Sequence, residues 1–156
     1  MESGFGEAVI RGLHRYVRSV INELGIRGDA FYAQLEPTAG AYIALDRRLP
    51  DHPDQDVALV WDERYGWSVA LETNSSEDLV MVAYHGLEIL PSPAAVAAFT
   101  REVWATENAS RSSAAPAGIR ENDVTLAERL TGYLRPVMVI SPHEAAGPRG
   151  SRSPSA

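Results

Sequence analysis

Apolar residues recur at three- and four-residue spacing near the start of the chain. Between residues 5 and 24 they form one stripe, which comprises Phe5, Val9, Leu13, Val17, Val20 and Leu24. This spacing predicts an amphipathic helix with one buried side. Gly25 follows the last of these positions and is suited to the left-handed conformation that ends a helix, with Ile26 packing back on Ile21.

The middle of the chain changes to the alternating pattern that predicts strands. Such runs cover residues 41–46, 56–62, 67–72 and 79–84, and a shorter run near 31–35 ends before Pro37. Residues 87–90 are also apolar and can continue the last strand beyond an interruption or bulge at Gly86. Short loops join consecutive strands, so the sheet should be mainly antiparallel.

Two further helices are predicted after the strands. Ser92 and Pro93 are favourable at a helix start, and Val96, Phe99 and Val103 give that helix its predicted buried stripe. A third helix is expected over 123–134, ending before Pro136. The order predicts an α+β fold of two layers: a mainly antiparallel sheet of about four strands, flanked by an N-terminal helix and one or two C-terminal helices.

These elements and the composition of the segments between them divide the chain into four parts. We expect an α+β domain over 1–106, a flexible linker rich in small residues over 107–121, and a C-terminal helix with an apolar segment over 122–140. Within the third segment, residues 137–140 can add a strand or dock on the domain. Residues 141–156 should be disordered because their composition cannot bury a core.

The most distinctive stretch is DVALVWDERYGWSVALE, residues 56–72. We predict a hairpin with the three-residue loop Arg64-Tyr65-Gly66, in which Gly66 is left-handed. Glu63 then faces Trp67, Trp61 faces Val69, and Leu59 faces Leu71. This register places both tryptophans with the aliphatic residues on one side, directed at the core, and leaves small and charged residues on the other.

The candidate binding residues lie at the hairpin tip and at the end of the last strand. They are Asp62, Glu63, Arg64, Tyr65, Tyr84 and His85. Arginine and tyrosine at a protruding tip are typical of recognition hot spots, although such turns are more often solvated structure. A lone histidine beside glycine is likewise more often structural, and it needs a carboxylate partner to act as a base.

The composition of the chain limits the classes of function that it can have. The formal net charge of −7 argues against nucleic-acid binding, and no apolar run is long enough to span a membrane. The absence of cysteine fits a reducing compartment, so a cytoplasmic location is expected. The acidic loop around His52 lacks the ligand spacing of a calcium loop, and no metal site is predicted.

The sequence contains no phosphate-binding loop, no HExxH and no GxSxG motif, and it has no lysine for Schiff-base chemistry. No cofactor and no catalytic residue are therefore predicted.

The first hypothesis is a non-catalytic protein-interaction or regulatory module that binds another protein or a second copy of itself as a homodimer. The second is a sensory domain that binds a small molecule in a pocket lined by Tyr42, Trp61, Trp67, Tyr84 and His85. The third is a hydrolase or transferase that uses His85 with Asp62 or Glu72.

Three segments give the chain a family resemblance. YVRSVINELGI, PDQDVALVWDERYGWSVALE and LEILPSPAAVAAFTREVW resemble a family of small actinobacterial proteins with a domain of unknown function. The resemblance covers about residues 10–105, and WDERYGW is its most specific part. It implies no activity, cofactor or site residue.

Overall fold

The computed structural model describes residues 2–27, 30–73, 78–106 and 123–134. These residues form three helices and five strands. In chain order they are α1 (Glu2–Leu24), β1 (Phe31–Gln34), β2 (Gly40–Ala44), β3 (Val57–Asp62), β4 (Gly66–Glu72), β5 (Leu79–Tyr84), α2 (Pro93–Ala105) and α3 (Asp123–Gly132). The predicted α+β fold with an antiparallel sheet is confirmed.

The sheet has five strands in the order β1-β2-β3-β4-β5, and every neighbouring pair is antiparallel. It therefore has one strand more than the predicted number of about four. The additional strand is β1, which pairs along its whole length with β2 despite Pro37 in the connection. Proline in a connecting loop removes no hydrogen bond from the sheet, so it limits the length of β1 without preventing the strand.

The β3–β4 hairpin turns at the predicted glycine. Gly66 has a φ of 74°, as expected, but it pairs with Asp62 and the loop residues are Glu63, Arg64 and Tyr65. Trp61 faces Trp67 rather than Val69, so the predicted register was wrong by two residues. Because side chains alternate with a period of two, this shift leaves both tryptophans on the predicted face.

The face of the sheet that carries the two tryptophans, here called the covered face, packs against the helices. Trp61 and Trp67 are 1% and 0% exposed. The Trp61 indole Nε1 donates to the carbonyl of Ile89 at 2.7 Å, and the Trp67 Nε1 donates to the Tyr16 hydroxyl at 3.0 Å. The Tyr16 hydroxyl in turn donates to the carbonyl of Pro91 at 2.5 Å. Each of these three buried donors therefore has an acceptor, so the fold avoids the free-energy cost of an unpaired buried donor.

The predicted continuation of the last strand over 87–90 is wrong. After β5 the chain leaves the sheet, and Ile89 and Leu90 are buried beneath it. Gly86, with a φ of 73°, allows this change of direction because an L side chain is unfavourable in that conformation. The tertiary contact with Trp61 therefore outweighs the apolar strand pattern.

Helix α1 ends at the predicted glycine. Gly25 has a φ of 74°, and its amide donates to the carbonyl of Ile21 at 3.1 Å. Helix α3 approaches α1 closely at Gly12, where a Cβ atom would lie 2.0 Å from the carbonyl oxygen of Leu130. The glycine is therefore a packing requirement of the α1–α3 contact.

Helix α2 begins as predicted, since the Ser92 side chain accepts a hydrogen bond from the amide of Ala95. Val96 and Val103 are buried, but Phe99 is only half-buried. The linker over 107–121, the apolar segment over 137–140 and the tail over 141–156 lie outside the described residues. Predictions about those segments stay predictions.

Candidate functional site

The face opposite the tryptophans, here called the open face, carries a row of side chains that crosses all five strands. In successive register the row comprises Tyr32, Tyr42, Val60, Ser68 and Tyr84. At about 4.8 Å between strands, the row is about 19 Å long. Helices α1 and α2 contact the sheet from the covered side and α3 packs on α1. Within the described residues, no helix covers this row.

At one end of the row, two tyrosines stack on each other. The rings of Tyr32 and Tyr42 stack with centroids 5.4 Å apart and planes 10° from parallel. The Tyr42 hydroxyl donates to the carboxylate of Glu72 two strands away, and Ala58 on the intervening strand is 0% exposed. Burial, together with the Glu72 carboxylate, raises the pKa of Tyr42. This part of the face is therefore an aromatic surface with a carboxylate at its margin.

At the other end, Tyr84 makes an edge-on contact with Tyr65, with ring centroids 6.2 Å apart. The Arg64 guanidinium lies 5.5 Å from the centroid of the Tyr65 ring. Burial raises the pKa of Tyr84, and the nearby Tyr65 and Asp62 contribute to the increase. Here the face already holds one cation against an aromatic ring, the arrangement that favours cation–π attraction.

The residues predicted at the hairpin tip have different roles. Asp62 caps the turn, because its carboxylate accepts hydrogen bonds from the amides of Arg64 at 2.6 Å and Tyr65 at 3.2 Å. Glu63 connects the turn to the segment before β2, since its carboxylate accepts from the amide of Ala39 at 3.2 Å. Only Arg64 of the four tip residues is exposed, so most of the predicted solvent-facing tip is partly buried.

His85 lies in a cleft that it shares with Tyr84 but with none of the four hairpin-tip candidates. Its ring packs edge-on against Phe99 of α2 at 5.4 Å, in a cleft of about 400 Å³ between β5 and α2. Burial lowers the pKa of His85, with Glu88 opposing the shift. Its Nδ1 atom is buried and has no hydrogen-bond partner in the described part of the chain.

This placement argues against the third hypothesis, in which His85 acts with Asp62 or Glu72. Glu72 pairs with Leu79 at the far end of the β4–β5 ladder, and its carboxylate holds Tyr42 on the open face. Asp62 accepts hydrogen bonds from its own turn, whereas His85 packs on the helix side. A general base needs its partner within hydrogen-bond reach. The arrangement does not support a hydrolase or transferase that uses His85 with either carboxylate.

The aromatic pocket of the second hypothesis is not assembled either. Trp61 and Trp67 fill the core on the covered face, while Tyr42 and Tyr84 lie on the open face. The sheet itself separates the two sets, because neighbouring positions along a strand point to opposite sides. These five residues were grouped by type, and their register shows that no single cavity holds all five. Of the five, only Tyr84 and His85 line the cleft between β5 and α2.

The acidic loop contains two local side-chain contacts. His52 contacts Asp51 at 3.2 Å, and Arg48 forms an ion pair with Asp56 at 3.0 Å. Among the described residues, no group of three or more histidine, aspartate or glutamate side chains is placed to hold a metal ion.

The sequence pattern did not indicate that Tyr32 and Glu72 both contact Tyr42 on the open face. Both are visible as alternate positions of short strands, but their proximity depends on the pairing of β1 with β2 and of β3 with β4. It also did not indicate a cleft at the ends of α1 and α2, which joins three segments far apart in the sequence. No local pattern indicates either arrangement.

None of the described helices has the length and apolar character needed to cross a lipid bilayer. No curated protein and no solved structure matches the chain. A family model does match, over residues 16–102, which extend from the buried Tyr16 of α1 almost to the end of α2 and include the whole sheet. The chain therefore belongs to a family of unknown function, DUF6292.

Proposed function

We propose that this protein is a non-catalytic binding module that recognises a basic segment of another protein through the open face of its sheet. The observation that carries the proposal is the row of three tyrosines across the face, with Tyr32 56% exposed. Tyrosine gives large contact area at low entropic cost and is common at recognition hot spots. We place the module in the cytoplasm as part of this proposal, since the chain has no cysteine.

The charges on the face favour a cationic partner. Glu72 and Asp62 lie at opposite ends of the face, and neither carboxylate is within ion-pair distance of a basic side chain in the described residues. The contact of Arg64 with Tyr65, whose ring packs against Tyr84, supports a cationic partner because guanidinium groups are attracted to tyrosine rings. The same charges disfavour pairing of this face with a second copy, because the carboxylates of both copies would be brought together.

A peptide panel tests the proposal. The row is about 19 Å long, which matches an extended segment of about six residues. We expect a hexapeptide of alternating arginine and tryptophan to bind, as measured by fluorescence anisotropy of a labelled peptide. Its glutamate–tryptophan counterpart should bind at least ~10-fold more weakly because the face carries carboxylates.

Single-residue variants test whether the peptide binds at the row of tyrosines. Tyr32→Ser, Tyr84→Ser and Glu72→Gln should each weaken the arginine peptide, the tyrosine changes by ~10-fold or more. Val80→Ser is the control, because Val80 is 50% exposed and pairs with the buried Leu71 rather than with a residue of the row. Equal affinity for both peptides, or equal loss in the control, would contradict the proposal. A concentration-dependent dimer that Tyr32→Ser disrupts would instead identify the partner as a second copy.

A further inference from the structure

A second concave surface lies at the other side of the fold, where the ends of α1 and α2 meet the chain after β2. It is a cleft of about 330 Å³, which falls within the range of small-molecule sites in proteins. Its lining comprises Leu24 and Ile26, Leu45 to Arg47, and Thr100, Arg101, Trp104 and Ala105. None of these residues belongs to the open face.

The floor of the cleft is apolar and its rim is cationic. Leu24, Ile26 and Leu45 pack against the core as partly buried aliphatic residues. Arg47 and Arg101 supply two positive charges, against one negative charge from Asp46. A local excess of positive charge is unusual in a chain whose formal net charge is −7.

Both guanidinium groups are held in place by the protein. The Arg47 guanidinium lies 5.7 Å from the Trp104 ring centroid. Arg101 donates to the carbonyl of Glu23 at the end of α1 at 2.8 Å. Each guanidinium has five N–H donors, so this one bond of Arg101 leaves several for a ligand. Trp104 is fixed in turn, since its Nε1 donates to the carbonyl of Arg48 at 3.0 Å.

We infer that this cleft binds an amphipathic monoanion, an aliphatic chain that carries one carboxylate. The carboxylate matches the planar donor fork of arginine at the rim, and the chain matches the aliphatic floor. A cation is disfavoured by the two guanidinium groups, and a small hydrophilic anion leaves the floor uncovered. This site is independent of the proposed peptide-binding face.

The fluorescence of Trp104 reports binding in the cleft, because the other two tryptophans, Trp61 and Trp67, are buried in the core. Titration with sodium octanoate should change the indole fluorescence saturably and raise the melting temperature. Acetate and octylammonium should be at least ~10-fold weaker, since the first lacks the chain and the second has the wrong charge. In Trp104→Phe the fluorescence response should disappear.

Charge variants decide whether the rim recognises the carboxylate. Arg47→Gln is the primary variant because Arg47 is exposed at the rim, and Arg101→Gln is the second. Each should weaken octanoate by ~10-fold or more, as expected for the loss of a charged hydrogen-bond partner. Arg15→Gln on the exposed side of α1 removes the same net charge and should have no effect.

Three results would overturn the inference. They are no saturable response to octanoate up to millimolar concentration, equal binding of octylammonium, and unchanged octanoate affinity in both Arg47→Gln and Arg101→Gln. Amide NMR shifts in the presence of octanoate provide a check that is independent of the tryptophan. They should centre on Leu24, Ile26 and Leu45, and shifts confined to the open face would contradict the assignment.

Discussion

The two faces of the sheet place their large aromatic residues in opposite environments. On the covered face, Trp61 and Trp67 are buried, and each donates its indole N–H within the fold. On the open face, Tyr32 is 56% exposed and Tyr84 is only half-buried. Alternate positions of the same five strands therefore serve two purposes. One face holds α1 and the segment after β5 in place, and we propose that the other is a surface for recognition.

The largest loss of stability is expected for substitution of Trp67 on the covered face. Replacing a buried tryptophan by alanine costs ~3–5 kcal/mol of unfolding free energy, because a cavity forms and packing is lost. Trp67→Ala should therefore be severely destabilised in urea denaturation. Tyr32→Ala on the open face should change stability by only ~0.5 kcal/mol or less. Similar losses for the two variants would contradict the assignment of separate roles.

Two glycines of α1 test how closely this helix packs against α3. Gly12→Ala places a Cβ against the backbone of Leu130 and should cost ~1–3 kcal/mol, or displace α3 from α1. Gly6 has no atom within 4 Å of such a Cβ, so Gly6→Ala should stabilise the helix by ~0.5–1 kcal/mol. Urea denaturation measures both free energies. If both variants change stability in the same direction, the close α1–α3 approach is wrong.

Alkaline pH tests the buried hydroxyl at the junction of the covered face and α1. Burial raises the pKa of Tyr16 above the ordinary tyrosine value of about 10. Above that pH the unfolded chain loses this proton while the folded chain keeps it, so stability should fall as pH rises. Its contribution is fully present below the unfolded value.

Tyr16→Phe should make this alkaline decline less steep. It should also cost ~1–3 kcal/mol at neutral pH, because the Trp67 Nε1 and the Pro91 carbonyl lose their partner. Unfolding free energies measured at a series of pH values give both quantities. Tyr32→Phe on the open face is the matched control for removal of one phenol. An unchanged alkaline slope in Tyr16→Phe would contradict the prediction.

Most of the fold was predictable because it depends on local patterns. The stripe in α1, the left-handed Gly25 and Gly66, and the alternation of β3 and β4 are all properties of short segments. The error of two residues in the hairpin register did not change the faces, since the period of a strand is two. Binary patterning thus determined which side of each strand is buried.

The site was less predictable because it depends on contacts between distant segments. The proximity of Tyr42 and Glu72 requires the register of three strands. His85 follows Tyr84 in sequence, yet its ring packs on α2 rather than joining the tyrosine row. Glu63 was expected at an exposed tip, but its hydrogen bond to Ala39 ties the turn to another segment. Residue type alone gives none of these relationships.

The central claim is that the open face binds and the covered face stabilises. The most direct test is an amide NMR titration of the full chain with the arginine–tryptophan hexapeptide. The account predicts saturable shifts centred on the row that includes Tyr32, Val60 and Tyr84, with unchanged signals for the buried residues of α1. Tyr32→Ser should weaken these shifts while leaving the unfolding free energy within ~0.5 kcal/mol of the wild type. Saturable shifts elsewhere on the surface, or none on the row, would contradict it.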